Sequence, residues 1–172
     1  MDTGLPTLIV VTGRPGAGKS TLVPLLAKAI RCPAVSRDEI KEGLVNTVGG
    51  ALDVEVALAT NEAFFDTIRL LLERKVTLAA EAAFQHRLWA PRLEELQKIA
   101  KVRIVVCSIN VELARSRHAE RSASDASRGR YHDVGPLAET YDPPGFDLPT
   151  LIVDTSDGYR PGFEEIVAFA NG

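Results

Sequence analysis

Only two cysteines, Cys32 and Cys107, occur in 172 residues. They show neither paired metal-ligand spacing nor the density of a disulfide framework, so the fold is not organised by either. Both sit in or beside apolar segments and are expected to be buried, reduced thiols. Long hydrophobic runs are missing as well. No stretch approaches the roughly 20 apolar residues that span a bilayer, and the N-terminus lacks a basic start followed by a cleavable apolar region; a cytoplasmic location without membrane contact is expected. Charge of one sign is not in excess. A net charge of −3 and a pI near 5.7 argue against a general nucleic-acid or anionic-membrane binder, while leaving room for a local basic patch. The chain also lacks internal repeats and low-complexity linkers, and its composition sets no oligomeric state.

What is present is an ordinary globular composition, 45% apolar and 25% charged. Its length suffices for a single domain, residues 1–172, with one core and no need of disulfides or a structural metal. Five short apolar runs read as strands: Thr7 to Val11, Pro33 to Ser36, Val76 to Ala80, Val102 to Cys107, and Thr150 to Val153. Most lack polar alternation, the pattern of parallel strands covered on both faces. Helical segments are expected at Lys19 to Ile30, Leu52 to Lys75, Trp89 to Lys101, Val111 to about Ser122, and Pro161 to Ala170. The alternation β-α-β-α implies an α/β three-layer fold. In the longest helix Val54, Leu58, Phe65, Ile68 and Leu72 mark the stripe expected to face the sheet. Asn61 falls on that stripe, either aimed into a cleft or satisfied in the core. Pro24 removes a backbone hydrogen bond within the first helix and predicts a kink. Gly49-Gly50 reads as a loop, and Gly129 to Pro149 as a long irregular one of the kind that carries function.

Gly13-Arg14-Pro15-Gly16-Ala17-Gly18-Lys19-Ser20 satisfies the whole G-x-x-x-x-G-K-[ST] pattern directly after a strand and before a helix. Its glycines let the backbone wrap an anion, and N–H groups at the helix start direct their dipoles at phosphates. Gly13, Pro15, Gly16, Ala17, Gly18, Lys19, Ser20 and Thr21 are thus the expected ATP-binding residues. Lys19 would reach the β- and γ-phosphates, Ser20 would coordinate Mg2+, and Thr21 would approach the α-phosphate.

Ser36-Arg37-Asp38-Glu39-Ile40-Lys41 follows the second strand, at the sheet edge that also carries the cradle. A carboxylate here can orient an acceptor hydroxyl and take its proton, which nominates Asp38; the alternative is that Asp38 merely caps the next helix, helped by Ser36. Arg37, Lys41 and Asn61 are the accompanying substrate-binding residues, with Lys41 suited to an anionic group on the acceptor. Glu81, after the third strand, either binds a magnesium-coordinated water or activates the acceptor. Gln85, His86 and Arg87 follow as a candidate acceptor wall, with His86 also readable as purely structural.

Arg115, Arg117, Arg121, Arg128 and Arg130 cluster in the segment 112–130, and a guanidinium can grip the charge spread over a moving phosphoryl group. Arg117 and Arg121, four apart, share a helical face, one for phosphate and one for adenine. A solvated face balanced by Glu112, Glu120 and Asp125 is the competing reading. Asp154 to Gly158 follows the last strand, and Thr155 is the residue expected beside the base; a plain strand-to-helix turn would have the same sequence.

These motifs in this order resemble the AAA-type family of small P-loop kinases, neighbours of polynucleotide 5′-kinases, zeta toxins and chloramphenicol phosphotransferases. The resemblance spans nearly the whole chain and implies a five-stranded parallel sheet of order 2-3-1-4-5 with an arginine-bearing lid at about 115–148. It also implies Asp38 as general base. The polynucleotide kinases usually carry arginine three residues after that aspartate, where this chain has Lys41, a point charge instead of a bidentate fork. The expected activity is therefore transfer from ATP and Mg2+ to the hydroxyl of a small molecule. The alternatives are a polynucleotide 5′-kinase and a nucleotide-controlled binding module with slow ATPase activity.

Overall fold

A computed structural model describes residues 4–49, 54–132, 137–145 and 147–172. Five strands, β1 (Thr7–Thr12), β2 (Ala34–Ser36), β3 (Leu78–Glu81), β4 (Lys101–Ser108) and β5 (Thr150–Asp154), form one sheet of order β2-β3-β1-β4-β5. Every pairing is parallel, so all carboxyl ends lie along one edge. The expected topology is the one observed.

The helices are α1 (Lys19–Ile30), α2 (Arg37–Val48), α3 (Val54–Glu73), α4 (His86–Leu96), α5 (Val111–Ser124), α6 (Arg128–Tyr131) and α7 (Phe163–Asn171). Alternate residues of β1 divide between two cores, because successive strand side chains point to opposite faces. Leu8 and Val10 pack beneath α3 and α4 with Phe64, Ile68, Trp89 and Leu93. Ile9 and Val11 pack beneath α1 and α7 with Leu22, Leu26 and Ile166. Phe64, Phe65, Phe84 and Trp89 form a compact aromatic group, with centroids 5.2 Å apart for Phe64–Phe65 and 5.4 Å for Phe84–Trp89. Edge-to-face packing of this kind adds to simple burial.

Several boundaries depart from expectation. In α3 the buried residues are Val56, Thr60, Phe64, Phe65, Ile68 and Leu72, whereas Val54 is 73% and Leu58 59% exposed. The phase is set where the aromatics meet the sheet. Counting back in fours from Phe64 brings Thr60 and Val56 inward and leaves Val54 and Leu58 outside, although both are apolar. Leu52, the expected helix start, and Gly50 of the expected loop lie outside the described residues. The fourth helix begins a turn early, at His86, and ends at Leu96; Lys101, expected in that helix, opens β4 instead. The helix α1 continues through Pro24, and α4 through Pro91. Each proline is the sixth residue of its helix and removes a single bond near the N-terminal end, a loss the packed apolar faces outweigh. Cys107 is buried, its thiol pushed up to about 11 by burial. Cys32 is only half-buried, where a fully buried thiol was expected.

Candidate functional site: a cationic cleft at the carboxyl edge of the sheet

The segment between β1 and α1 closes into the cradle its sequence requires. Gly13 has φ 145° and Gly16 φ 85°, in the region that L side chains avoid. Space imposes the same choice. A Cβ on Gly13 would stand 2.5 Å from the Cys107 carbonyl oxygen, and one on Gly16 2.6 Å from that of Ala114. Ala17 N–H donates to the Arg14 carbonyl at 3.1 Å, and Leu22 N–H to the Gly18 carbonyl at 3.1 Å, which starts α1. Lys19 Nζ donates to the Arg14 carbonyl at 3.0 Å. Burial lowers the Lys19 pKa, opposed chiefly by Glu81. Ser20 lines the cleft that opens above the cradle, while Thr21 is exposed on the outer side of the same turn.

At the neighbouring strand ends the register pairs Ser36 with Glu81, and Glu81 with Val11. Ser36 Oγ donates to Glu81 Oε1 at 2.7 Å and, as N-cap of α2, accepts from Glu39 N–H at 3.5 Å. The capping role considered for Asp38 thus belongs to Ser36. Asp38, in the first turn of α2, keeps a side chain 55% exposed, with Arg37 at 3.4 Å and Lys41 at 3.6 Å. Burial pushes the Asp38 pKa up, but Lys41, His132, Arg37 and Lys19 outweigh it, and the carboxyl lies below its usual range. Burial lowers the Lys41 pKa, with Asp38 opposing.

Glu81 shows the reverse balance. Desolvation raises its pKa, and the Ser36 hydrogen bond and Lys19 only partly counter it. Its Oε2 is buried without a hydrogen-bond partner among the described residues. Such an orphaned acceptor beside the cradle fits a cation-bound water, and together with Ser20 it supplies the hard oxygen donors that magnesium prefers.

Arg37 and Asn61 are joined, with Arg37 Nε donating to Asn61 Oδ1 at 3.0 Å. Arg37 also lies over the Phe84 ring, 5.4 Å from its centroid. Asn61 is therefore neither a satisfied core amide nor a cleft-lining group; it holds the arginine that does line the cleft. Gln85 lines the cleft as expected, but Arg87 does not. His86 has a structural task, its Nδ1 accepting from Gly145 N–H at 2.9 Å.

The arginine segment separates. Arg121 and Arg128 line the cleft, and Arg128 Nε has no hydrogen-bond partner among the described residues. Arg117 turns away from it. Its two terminal nitrogens donate to the Thr155 carbonyl at 3.1 Å and the Ser156 carbonyl at 2.9 Å, which leaves Arg121 as the member of the pair that lines the cleft. The buried Thr155 hydroxyl donates to the Ala17 carbonyl at 2.8 Å and braces the cradle.

The cleft has a volume of about 370 Å³ and is walled on its outer side by lid residues including Ala138, Thr140 and Tyr141. Six lining side chains are basic, namely Arg14, Lys19, Arg37, Lys41, Arg121 and Arg128, against the two carboxylates Asp38 and Glu81. In a chain of net charge −3, this concentration of positive charge selects anionic ligands.

Two features were not legible in the sequence. The buried Thr12 hydroxyl lies against the carbonyls of Ala82, at 2.9 Å, and Phe84, at 3.1 Å. It accepts from Trp89 Nε1 at 3.1 Å and touches the Tyr141 hydroxyl. Tyr141 also donates to the Phe84 carbonyl at 2.8 Å. The other feature is His132, whose Nε2 is 2.7 Å from Glu42 Oε1 and whose Nδ1 is 3.8 Å from Asp38 Oδ2. Neither has a local motif, because each partner is remote in sequence.

With this geometry established, the relatives can be placed. Residues 8–144 match the family described as AAA domain, and the chain belongs to that family. A search of curated proteins returned no match. Among solved structures, a candidate kinase from Chloroflexus aurantiacus is 27% identical, with a TM-score of 0.81 and 98% of each chain covered. The APS kinase CysC of Mycobacterium tuberculosis, in complex with AMPPNP and APS, shares 13% identity at a TM-score of 0.71, with 97% of this chain and 98% of that one covered. A chain of the Pnkp1/Rnl/Hen1 RNA repair complex shares 18% identity at a TM-score of 0.59, covering 79% of this chain and 50% of that one. The protein therefore has the three-layer α/β fold of the P-loop kinases.

Proposed function

We propose that the protein transfers the γ-phosphoryl group of ATP to a hydroxyl of a small molecule. The observation that carries this reading is one cleft in which the Lys19 cradle and an ionised, partly exposed Asp38 share the same walls. A pure nucleotide switch would have no need of a carboxylate held in this state beside the phosphates.

The backbone of 13–18, with Lys19, would hold the β- and γ-phosphates, and Ser20 with Glu81, the latter through water, would hold Mg2+. When bound, the ion neutralises charge on the phosphate oxygens. Asp38 accepts the proton of the acceptor hydroxyl as its oxygen forms a bond to γ-phosphorus and the bond from that phosphorus to the β–γ bridging oxygen breaks; ADP leaves with the bridging electron pair. A carboxyl below its usual range is ionised throughout neutral pH and is available as a base. Arg121 and Arg128 face the cleft from the lid side and supply guanidinium donors for the equatorial oxygens. Arg37 and Lys41 flank Asp38 and position the acceptor.

The test is the fate of label from γ-labelled ATP offered with magnesium and separate pools of hydroxyl metabolites and 5′-hydroxyl oligonucleotides. Transfer to a metabolite, lost in both Lys19→Ala and Asp38→Asn, is the expected result. Transfer to oligonucleotide would replace it with a polynucleotide kinase, and binding would then weaken steeply with salt. Release of inorganic phosphate alone, unchanged by Asp38→Asn, would overturn the kinase reading in favour of a nucleotide-controlled module.

A further inference from the structure

The lid does not merely hang over the cleft. Its short helix α6 is fastened to α2, the helix that carries Asp38, at two points. Tyr131 donates to Asn46 Oδ1 at 2.9 Å, and the His132 ring lies 2.7 Å from Glu42 Oε1 through Nε2 and 3.8 Å from Asp38 Oδ2 through Nδ1. The His132 side chain is 13% exposed, while its partners Glu42 and Asp38 are 43% and 55% exposed, so the imidazole itself is largely shielded from water at these contacts. At the start of α6, four residues before His132, Arg128 lines the cleft with its Nε unpartnered among the described residues. The two positions are tied by the His132 N–H donating to the Arg128 carbonyl at 2.8 Å.

A single turn of lid therefore bears a cation aimed into the cleft and an imidazole seated between two carboxylates of the acceptor side. Glu42 is the anchor, because its contact is short and hydrogen-bonded. Asp38 is the group held, because its contact is longer and its other oxygen faces Arg37 and Lys41 at 3.4 Å and 3.6 Å. With Oδ1 so engaged and Oδ2 facing the imidazole, the carboxylate has partners on both oxygens and a restricted orientation. The charged groups that interact with His132 are Asp38 and Glu42 from α2 and Asp125 from the end of α5.

We propose that His132 is a positioning residue: anchored on Glu42, it latches α6 to α2, fixes the orientation of Asp38 and sets Arg128 over the cleft, so that the base and a phosphate-binding arginine are in place only when the lid is docked. This rests on the reading of Asp38 as the base. Coupling of this kind makes seating of the lid a condition for proton acceptance and disfavours hydrolysis in an open site.

Two readouts separate the latch from the chemistry. Amide hydrogen exchange across 125–132, measured on the full chain without any acceptor, is expected to quicken at least tenfold in Glu42→Gln and in His132→Ala. The double variant should show no further increase, since both changes break one contact. In transfer assays His132→Ala should lower kcat about 10- to 100-fold, as expected for a misoriented group, while the KM for ATP changes less than threefold. His132→Gln, which can still bridge a carboxylate, should recover part of kcat. Unchanged exchange in Glu42→Gln and His132→Ala would overturn the latch. Faster exchange with a wild-type kcat would overturn the positioning role. Should the wild type protect 125–132 through Glu42 yet transfer label to no acceptor, the kinase reading and the positioning role would both fall and only the latch would stand.

Discussion

The two walls of the cleft are built in different ways. The cradle is held mostly by near neighbours in sequence: Lys19 reaches the carbonyl of Arg14, five residues back, and Ala17 that of Arg14, three back, with Thr155 as a brace from 138 positions away. The lid is held by residues far away. Tyr131 finds Asn46 across 85 positions, His132 finds Glu42 across 90, Tyr141 finds Phe84 across 57, and Arg14 donates to the Glu139 carbonyl across 125. Local contacts lose little chain entropy on forming, whereas each remote contact depends on the sheet having already placed its partners. The turn of the cradle is thus set mainly by a short sequence, whereas the docking of the 128–145 segment is a property of the folded domain.

This contrast can be broken at either wall. The largest effect is expected from Lys19→Ala, which removes the cradle's cation and should cut transfer about 10³-fold with little change in melting temperature. Retained transfer would mean that the cradle is not the donor site. Asp38→Asn should cost about 10²-fold in kcat while the KM for ATP stays near wild type; a variant impaired only in ATP binding would place Asp38 on the donor side and erase the distinction. Thr12→Val tests the lid's fastening. It leaves Trp89 Nε1 without its acceptor and removes one of the two partners of the Tyr141 hydroxyl, which keeps the Phe84 carbonyl, and should lower stability by about 1–3 kcal/mol in urea unfolding. Exchange across 137–145 should rise while nucleotide affinity holds. Equal loss at both walls would show that they form one cooperative unit.

The smallest effect concerns Glu81 and pH. Its folded pKa is raised, mainly by desolvation, so the folded state binds this proton more tightly than the unfolded chain does. The resulting stabilisation is complete below the unfolded carboxyl value of about 4.3 and is lost as pH rises through the folded value. Glu81→Gln removes that dependence. Its melting temperature relative to wild type should therefore rise between pH 4 and pH 7, as scanning calorimetry would show; a variant-minus-wild-type difference that falls over this range would contradict the raised value.

The legible and illegible parts of the site divide along the same line. Gly13 to Ser20 could be read outright because the G-x-x-x-x-G-K-[ST] spacing, the preceding strand and the following helix are all local. Asp38 and Glu81 were legible as strand-end carboxylates, since a parallel sheet brings every such end to one edge. For Arg117 and Arg121, spacing by four shows that two arginines share a face but not which of them meets the cleft. The carbonyls of Thr155 and Ser156, from another part of the chain, take Arg117 instead. Nor could the sequence show that the Thr155 hydroxyl goes to the Ala17 carbonyl. In α3, apolar identity at Val54 and Leu58 said nothing of orientation, which the contact of Phe64, Phe65 and Ile68 with the sheet decided.

By itself the sequence determined the alternation of strands and helices, the anion cradle, and the carboxylates available at the sheet edge, all of which follow from backbone preferences and short-range spacing. Only the tertiary structure decided that Ser36 holds Glu81, that Thr12 gathers Trp89 and Tyr141, that Arg121 and not Arg117 faces the cleft, and that His132 sits between Glu42 and Asp38. These pairings depend on side chains tens of residues apart being brought within hydrogen-bond or ion-pair reach, and no local propensity encodes which partner the completed fold will supply.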